Sequence, residues 1–345
     1  MAEELTYGVD IDTANKTKKA MADSLKTTEK RVMNTVGAFA SLYDFQFPGL
    51  KDPVLVMKTE EPGSKQLLAF QHDRIEGICQ DMINHLINDC IVMGAQPLMV
   101  QDAVICGKLE KDKVTRLVKG MAEACKAQEC VLTGGETSEQ PGVIPAGTYI
   151  LTSSIVGLVE KARIIDGSKI KAGDVVLSAA SSGPHTNGYT LIRELLARKP
   201  ELSGQKTDGR TFLDLVLEPH RCYYKGLKDL FPTGKLKGLA HITGGGIREN
   251  LDRILPSHLD AQIDLSTYPI LPVFDVIKKE GSVADEVMLR TFNLGVGLAV
   301  VVSPSDEVEV LAHLNGQGWE AKRIGEIVAG GSGEVQVHGK LPWKA

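Results

Sequence analysis

The 345-residue sequence predicts a layered α/β (α+β) fold in two domains. Strand-like runs of β-branched residues alternate with amphipathic helical segments along the chain. The length exceeds the size at which one hydrophobic core usually stops growing. A polar stretch that contains two glycines, Glu160–Asp174, separates the two halves. We therefore predict a first domain at residues 1–162 and a second domain at residues 170–345.

The elements of the first half follow from hydrophobic spacing and residue type. A charged, helix-favouring segment comes first, apolar residues three and four apart mark further helices, and β-branched runs bounded by turn residues mark strands. We predict helices at Thr13–Thr35, His72–Met93 and Glu110–Gln128, and strands at Pro53–Lys58, Pro97–Cys106, Cys130–Thr133 and Tyr149–Val159.

The second half shows the same alternation, interrupted by a polar segment at Lys199–Arg210 that predicts a surface loop. We predict strands at Val175–Ala179, near Met288–Val302 and within Glu320–Val337, and helices at Gly188–Ala197, from Gly246 to about Leu255 and at Asp306–Leu314.

Charge and cysteine usage exclude several classes of protein. A net charge of −5 and a pI near 6.0 argue against a nucleic-acid-binding scaffold. The start at Met1–Tyr7 lacks the features of a signal peptide, and no window approaches about 18 uninterrupted apolar residues, so we expect neither secretion nor a membrane span. The six cysteines contain no CxxC pair, which favours buried thiols and a cytoplasmic location over disulfides or zinc.

A polar stripe follows one side of the predicted helix His72–Met93. It carries an aspartate, two asparagines and a histidine: Asp81, Asn84, His85 and Asn88. A solvated face would normally carry lysine and glutamate, whereas oxygen donors on one face suit Mg²⁺ together with substrate phosphates. The stripe predicts a magnesium site, with a solvated or capping face as the alternative.

Paired glycines and a carboxylate follow the predicted strand Cys130–Thr133, in the segment Thr133–Thr137. Glycines let the backbone approach a ligand, and Glu136 beside them could reach a metal. A plain turn with an exposed Glu136 is the alternative.

Two further glycine-containing loops each precede a predicted helix, which suits anion binding by free backbone N–H groups. The first is Ser181–Gly188, where His185 could donate to a phosphate or an oxyanion, and it lacks the GK[ST] ending of a Walker A loop. The second is His241–Gly246, with Asn250 one turn into the helix. Arg290, before Gly295, could add a cation to this domain or serve a structural role at a strand start.

The sequence contains no Ser-His-Asp order, catalytic cysteine signature or dinucleotide-binding GxGxxG in the appropriate context. This pattern favours nucleotide-assisted group activation over hydrolysis or hydride transfer.

Taken in order, these segments resemble the phosphoribosylformylglycinamidine cyclo-ligase (aminoimidazole ribonucleotide synthetase) family. The resemblance covers nearly the whole chain. The matching segments are Gly8–Asp12, Asn88–Leu98, Gln101–Leu109, Gly134–Gly142, Ile164–Ile170, Ser181–Tyr189, His241–Asn250 and Arg290–Gly297.

The resemblance implies ATP-dependent ring closure of formylglycinamidine ribonucleotide in purine biosynthesis. ATP would activate the formyl-amide oxygen, a substrate nitrogen would attack, and aminoimidazole ribonucleotide, ADP and phosphate would leave. It also implies a homodimer, in which the N-terminal mixed sheet of each subunit pairs with its twin and a C-terminal α/β domain packs beside it. ATP and Mg²⁺ are the expected cofactors, a phosphoribosyl compound the expected substrate, and neither nucleic acid nor membrane is an expected partner.

The same resemblance implies a site in the cleft between the domains. The expected nucleotide contacts are Lys65, Ser64, Asp81, Asn88, Asp102, Gly134, Gly135, Glu136 and Thr137, with Asp81, Asp102 and Glu136 as magnesium ligands. The expected substrate contacts are Ser182, Gly183, His185, Asn187, Gly188, Thr243, Gly244, Gly245, Gly246 and Asn250. The candidate catalytic residues are His185, His241 and Lys65.

One segment departs from the family pattern. Where the family carries DGVGTK, this chain has Glu60-Glu61-Pro62-Gly63-Ser64-Lys65. Lys65 keeps the ammonium, but Pro62 stiffens the loop and Glu60 lengthens the carboxylate. A charged surface turn is the alternative interpretation.

Related functions remain open at this point. Selenophosphate synthetases, thiamine-monophosphate kinases and hydrogenase-maturation dehydratases share the ATP chemistry, but the chain has no cysteine before Cys79 and ends Leu-Pro-Trp-Lys-Ala, without a terminal cysteine. A non-catalytic nucleotide-binding paralogue is the alternative from another class.

Overall fold

The computed structural model describes residues 11–22, 24–34 and 39–344, and within them two main sheets form, each packed against helices. The helices are α1 (Ile11–Ala22), α2 (Lys65–Gln71), α3 (Ile75–Ile91), α4 (Lys111–Ala127), α5 (Tyr189–Arg198), α6 (Phe212–Val216), α7 (Tyr224–Leu227), α8 (Gly246–Leu251), α9 (Pro272–Gly281), α10 (Asp285–Thr291) and α11 (Glu307–Gly316). The strands are β1 (Pro53–Glu60), β2 (Gln96–Cys106), β3 (Val131–Glu139), β4 (Tyr149–Glu160), β5 (Val175–Ala180), β6 (Lys206–Thr207), β7 (Arg210–Thr211), β8 (Leu236–His241), β9 (Leu259–Asp264), β10 (Val296–Val302), β11 (Lys322–Ala329) and β12 (Val335–His338). Among the described helices, none is long and apolar enough to cross a membrane.

The first domain is a mixed sheet in the order β1-β4-β2-β3, in which β2 and β3 run parallel and the other neighbours run antiparallel. Helices α3 and α4 pack on each other and on this sheet, and they bury apolar residues such as Met82, Leu86, Leu117 and Met121. The strands alternate between buried and more exposed residues because one face lies under the helices and the other does not.

The second domain is built on a sheet in the order β12-β9-β11-β5-β10-β8, antiparallel except for β12 beside β9. Its central strands β5 and β10 are buried along their whole length. Both read as continuous runs of small and β-branched residues, as expected for strands that are covered on both faces.

The segment between the sheets is short and fixed by glycine. Lys161–Arg163 forms a single 3₁₀ turn after β4, and the Ile165 N–H donates to Met93 O at 3.1 Å. Gly167 has φ +81°, and a Cβ there would lie 2.0 Å from Ile254 O, so a larger residue would disturb the passage between domains.

The structure confirms the two-domain α/β fold, but three predicted elements were wrong. The helical segment Thr13–Thr35 stops at Ala22, because the polar residues that follow offer no apolar face, and Thr35 itself lies outside the described residues. The segment Thr133–Thr137 continues strand β3 instead of forming a loop. Met288–Thr291 belongs to helix α10, whose acidic first turn and terminal Arg290 match the helix dipole, so the strand begins only at Val296.

Other elements were not foreseen. No prediction from the sequence covered α2, β8, β9 or α9. The segment Lys199–Arg210, predicted as a surface loop, contains a 3₁₀ turn, strand β6 and the first residue of β7. The family-like segment Gly8–Asp12 falls mostly outside the described residues.

Candidate functional site

Three of the four polar segments singled out in the sequence, all but Thr133–Thr137, meet where the two domains touch. We call this contact the seam: residues 58–65 and helix α3 on the side of the first domain, and residues 181–188, 218–223 and 241–246 on the side of the second. Hydrogen bonds from buried side chains cross it at several points. Burial of polar groups costs free energy unless they form hydrogen bonds or ion pairs, so the partners of each residue indicate its structural role.

A fully buried ion pair lies at the centre of the seam. Lys65 Nζ is 2.7 Å from Asp81 Oδ1 and also donates to His185 O at 3.0 Å and Glu218 O at 2.8 Å. These three acceptors use all three donors of the ammonium group. Burial raises the pKa of Asp81 to about 6, against the effect of Lys65, and burial lowers the pKa of Lys65. In this arrangement Lys65 joins the domains, and its predicted contact with nucleotide stays a prediction.

The asparagines of α3 bind backbone across the seam. Asn84 Nδ2 donates to His220 O at 2.6 Å, and Asn88 both donates to Arg221 O at 2.8 Å and accepts from the Tyr223 N–H at 3.0 Å. The stripe is therefore neither solvated nor open. It holds residues 218–223 of the second domain in place.

Four histidines cluster beside the ion pair. They come from α3, the 181–188 loop, the 218–223 segment and the end of β8: His85, His185, His220 and His241. His185 and His220 stack with ring centroids 3.8 Å apart, and the Nε2 atoms of His220 and His241 are 2.9 Å apart. Burial is the main cause that lowers the pKa values of His185 and His220, and it lowers the pKa of His85 to about 4. These three rings are therefore neutral near pH 7.

A charged group borders this cluster. Asp89 Oδ1 is 2.7 Å from His241 Nδ1, and its Oδ2 is 3.1 Å from Lys58 Nζ, which also lies 2.9 Å from Glu60 Oε2. Burial acts to raise the pKa of Asp89, but the hydrogen bond from His241 and the nearby cations hold it below its usual range. Asp89 is therefore an ionised carboxylate that accepts a hydrogen bond from His241 Nδ1–H.

The two predicted anion loops are neighbours. A Cβ on Gly244 would lie 3.3 Å from Asn187 Nδ2, so the two loops touch at this point. Within the first loop, Ser182 Oγ donates to Pro219 O at 2.6 Å, and His185 has φ +59°, a strained conformation for a residue with a side chain. Gly183 O accepts from Asn293 Nδ2 at 2.9 Å.

The second loop is held by its own helix. Asn250 Nδ2 donates to Gly246 O at 2.7 Å and Gly244 O at 3.1 Å, while its Oδ1 is 3.3 Å from Thr243 Oγ1. Asn250 therefore shapes the turn, and the exposed Gly244 is the part that a ligand can approach closely. Gly188 and Gly245 have φ +78° and +93°, which favour glycine. Arg290 is exposed at the end of α10 and pairs with Glu249, so it does not lie at a strand start.

A row of paired residues crosses the sheet of the first domain from the seam: Glu60, Ser153, Asp102 and Gly135. Asp102 is buried, and within residues 39–344 no ion pair joins it to a basic side chain. Burial raises its pKa to about 7. A Cβ on Gly135 would lie 2.1 Å from Asp102 O, so glycine is required beside this carboxyl group.

The expected magnesium ligands are not gathered together. Asp81 is engaged by Lys65, Asp102 lies inside the sheet, and Glu136 is exposed on β3. Within the described ranges, the His, Cys, Asp and Glu groups whose ligand atoms all lie within 4.8 Å are His185–His220–His241 and His85–Asp89–His241. Asp81 Oδ2 is buried without a hydrogen-bond partner, so its lone pairs suit a hard cation. Assignment of Mg²⁺ to these three carboxylates stays a prediction, as do the contacts assigned to Ser64, Gly134 and Thr137.

Family models match both halves of the chain. The model of the AIR synthase related protein N-terminal domain matches residues 46–159, and that of the C-terminal domain matches residues 171–338. A phosphoribosylformylglycinamidine cyclo-ligase from Methylobacillus flagellatus is 41% identical over 338 residues, which are 95% of this chain and 95% of that protein. The chain belongs to this cyclo-ligase family.

Other comparisons agree on the fold. A cyclo-ligase of the same name from Burkholderia cenocepacia is 41% identical over 344 residues, with 97% of this chain and 96% of that protein covered. A crystal structure of the hydrogenase maturation protein HypE in complex with ATP matches with a TM-score of 0.68 at 17% identity, covering 96% of this chain and 92% of that one. At that identity the likeness shows the fold alone.

Sequence reasoning on this cyclo-ligase family member missed important seam residues. His220 stands in Glu218-Pro219-His220-Arg221, which matches no motif considered in the sequence. Lys58 lies inside a strand, and Asp89 was not among the residues of the polar stripe. The available signal was that Lys58 and Glu60, two charged residues, occupy inward-facing positions of β1, on the face that packs toward α3.

We expect removal of one partner of the buried ion pair to destabilise the folded chain strongly. Lys65→Met leaves Asp81 buried without its cation and should lower the free energy of unfolding by about 3–5 kcal/mol. Lys65→Met combined with Asp81→Asn should lower it less than Lys65→Met alone, because no unpaired charge remains. Chemical denaturation measures both.

The matched control is Lys119→Met, which removes an exposed ammonium 3.8 Å from Glu123 and should cost less than about 1 kcal/mol. Equal losses in Lys65→Met and Lys119→Met would contradict a central role for the buried pair.

We expect Asp102 to make stability depend on pH. Its pKa is about 7 in the folded chain against about 3.9 for a free aspartate, so folding becomes less favourable as the pH rises from about 4 to 7. Asp102→Asn removes this titration and should raise the free energy of unfolding more at pH 8 than at pH 5. Denaturation at both pH values without divalent cations, with the exposed Asp252→Asn as control, tests this. An equal change at both pH values would contradict it.

Proposed function

We propose that this chain closes the imidazole ring of formylglycinamidine ribonucleotide at the expense of ATP, giving aminoimidazole ribonucleotide, ADP and phosphate. The observation that carries the proposal is 41% identity along the whole chain to proteins named phosphoribosylformylglycinamidine cyclo-ligase. The seam supports the proposal, because two glycine loops and the neutral His185 lie together there. The proposed reaction requires no nucleophile from the protein. The role belongs to purine biosynthesis in the cytoplasm.

The chemistry demands positioning more than covalent catalysis. An amide oxygen leaves poorly, and its phosphorylation by ATP supplies a better leaving group, with Mg²⁺ screening phosphate charge when bound. The exposed backbone at Gly244 would approach the substrate phosphate, as the resemblance implies. A neutral imidazole such as His185 can accept a proton near pH 7, and Asp89 orients the His241 ring beside it, so His185 and His241 are the candidate acid–base residues.

The proposal includes a homodimer formed through the first-domain sheet. The face of that sheet turned away from α3 carries exposed apolar residues, with Leu55 47%, Met57 73% and Ile150 37% exposed. An apolar sheet face of this kind usually marks an interaction surface.

Met57→Glu should convert the dimer to a monomer of about 37 kDa in sedimentation velocity, whereas Val308→Glu, at an exposed position on α11, should not. A wild-type monomer, or dimers in both variants, would contradict this interface.

The function itself is tested by turnover. Purified protein with ATP, Mg²⁺ and formylglycinamidine ribonucleotide should release ADP and aminoimidazole ribonucleotide in equal amounts, and ADP release should stop without the ribonucleotide. His185→Gln and His241→Gln should each lower kcat by about 10²-fold or more, while the exposed His258→Gln should not.

Wild-type rates in both seam variants would contradict the site assignment. Binding of both ligands without turnover would instead indicate a non-catalytic nucleotide-binding paralogue.

A further inference from the structure

The histidine cluster offers more nitrogen donors than acid–base chemistry requires. His185, His220 and His241 each present a ring nitrogen, and these atoms lie within 4.8 Å of one another. All three side chains are buried, and they reach this point from three separate segments of the second domain. Bringing three imidazoles together removes each from water, so the cluster calls for a partner that satisfies them.

The hydrogen bonds fix the free atoms. Asp89 Oδ1 is 2.7 Å from His241 Nδ1, which makes Nδ1 the donor of that hydrogen bond, and in the tautomer whose single proton is on Nδ1 the His241 Nε2 lone pair faces His220 Nε2, 2.9 Å away. The Nδ1 atoms of His185 and His220 are buried and have no hydrogen-bond partner. Two unsatisfied imidazole atoms in one buried cluster are unusual, and they are an observation independent of the close spacing.

The Asp89–His241 contact is typical of a metal ligand. A histidine that binds a metal usually donates its other ring N–H to a carboxylate, which fixes the tautomer and raises the basicity of the ligating nitrogen. With metal–nitrogen bonds of about 2.0–2.1 Å, two nitrogens 2.9 Å apart subtend roughly 90° at the ion, and a shift of about 0.5 Å gives a tetrahedral angle. Metal binding at both Nε2 atoms therefore needs a small shift in position and a move of the His220 ring proton from Nε2 to the unpartnered Nδ1.

We propose that His220 and His241, with His185 as a weaker third ligand, form a binding site for a divalent transition-metal ion of the zinc class at the seam. Imidazole nitrogen suits zinc, nickel and cobalt better than magnesium, which prefers oxygen. Asp89 orients His241 from helix α3 of the first domain, so the ion would connect the two domains. The proposal does not rest on the proposed function, because it concerns the chain without nucleotide or substrate.

His185 is a weaker metal ligand than His220 and His241. Its Nε2 already accepts from the Ser182 N–H at 3.1 Å, so the proton of the neutral ring is on Nδ1. Metal binding through Nε2 would break the hydrogen bond from Ser182, and metal binding through Nδ1 would require the ring proton to leave that atom. The site therefore keeps a position open for water or for a further donor, as sites with three protein ligands do.

Metal titration of the full-length chain tests the proposal. Protein stripped with a chelator is titrated with Co²⁺ and Zn²⁺ at pH 7.5, and binding is followed by calorimetry and by the visible absorption of cobalt. We expect one ion per chain with a cobalt spectrum lacking thiolate bands. His220→Gln and His241→Gln should weaken binding about 100-fold or more, and His258→Gln, an exposed histidine, should leave it unchanged.

Asp89→Asn provides a second route if either ligand variant fails to fold. Loss of the carboxylate behind a ligating histidine should weaken metal binding by about 10–100-fold. Absence of binding tighter than micromolar, or equal affinity in the wild type, His220→Gln and Asp89→Asn, would overturn the site.

Discussion

The structure depends on the buried ion pair between Lys65 and Asp81. It joins the first helical turn after β1 to α3, and through His185 O and Glu218 O it fixes two segments of the second domain. Removing two charges from water is costly, and good geometry with complete hydrogen bonding is what makes such a pair tolerable. The donors of Lys65 are all used, so the seam is specified as much by polar pairing as by apolar burial.

This pairing explains why α3 is polar on a side that is not exposed. Asp81, Asn84 and Asn88 hold residues 218–223 against the first domain, and that segment in turn carries His220 into contact with His185 and His241. The glycine loops lie beside the same histidines, where Gly244 stays open to solvent. The residues that hold the two domains together and the candidate catalytic residues therefore lie in the same seam.

The sequence predicted the architecture well and the site only in part. The strongly periodic helix α3 and the β-branched strands were found because local spacing reports burial directly. The two glycine loops that border the seam were singled out because glycine clusters are uncommon without a backbone reason, and their role in binding stays a prediction. His220 and Lys58 were missed because their importance arises from contacts with residues far away in the sequence, at 139 and 31 positions from their partners Asp81 and Asp89.

The proposed function requires the substrate to bind at the seam, and amide hydrogen exchange can locate that binding segment by segment. With formylglycinamidine ribonucleotide and a non-hydrolysable ATP analogue bound, exchange should slow in residues 181–188 and 241–246 more than elsewhere in the second domain. If both ligands bind but exchange slows only in segments away from the seam, such as α11 and β12, the substrate does not bind at the seam.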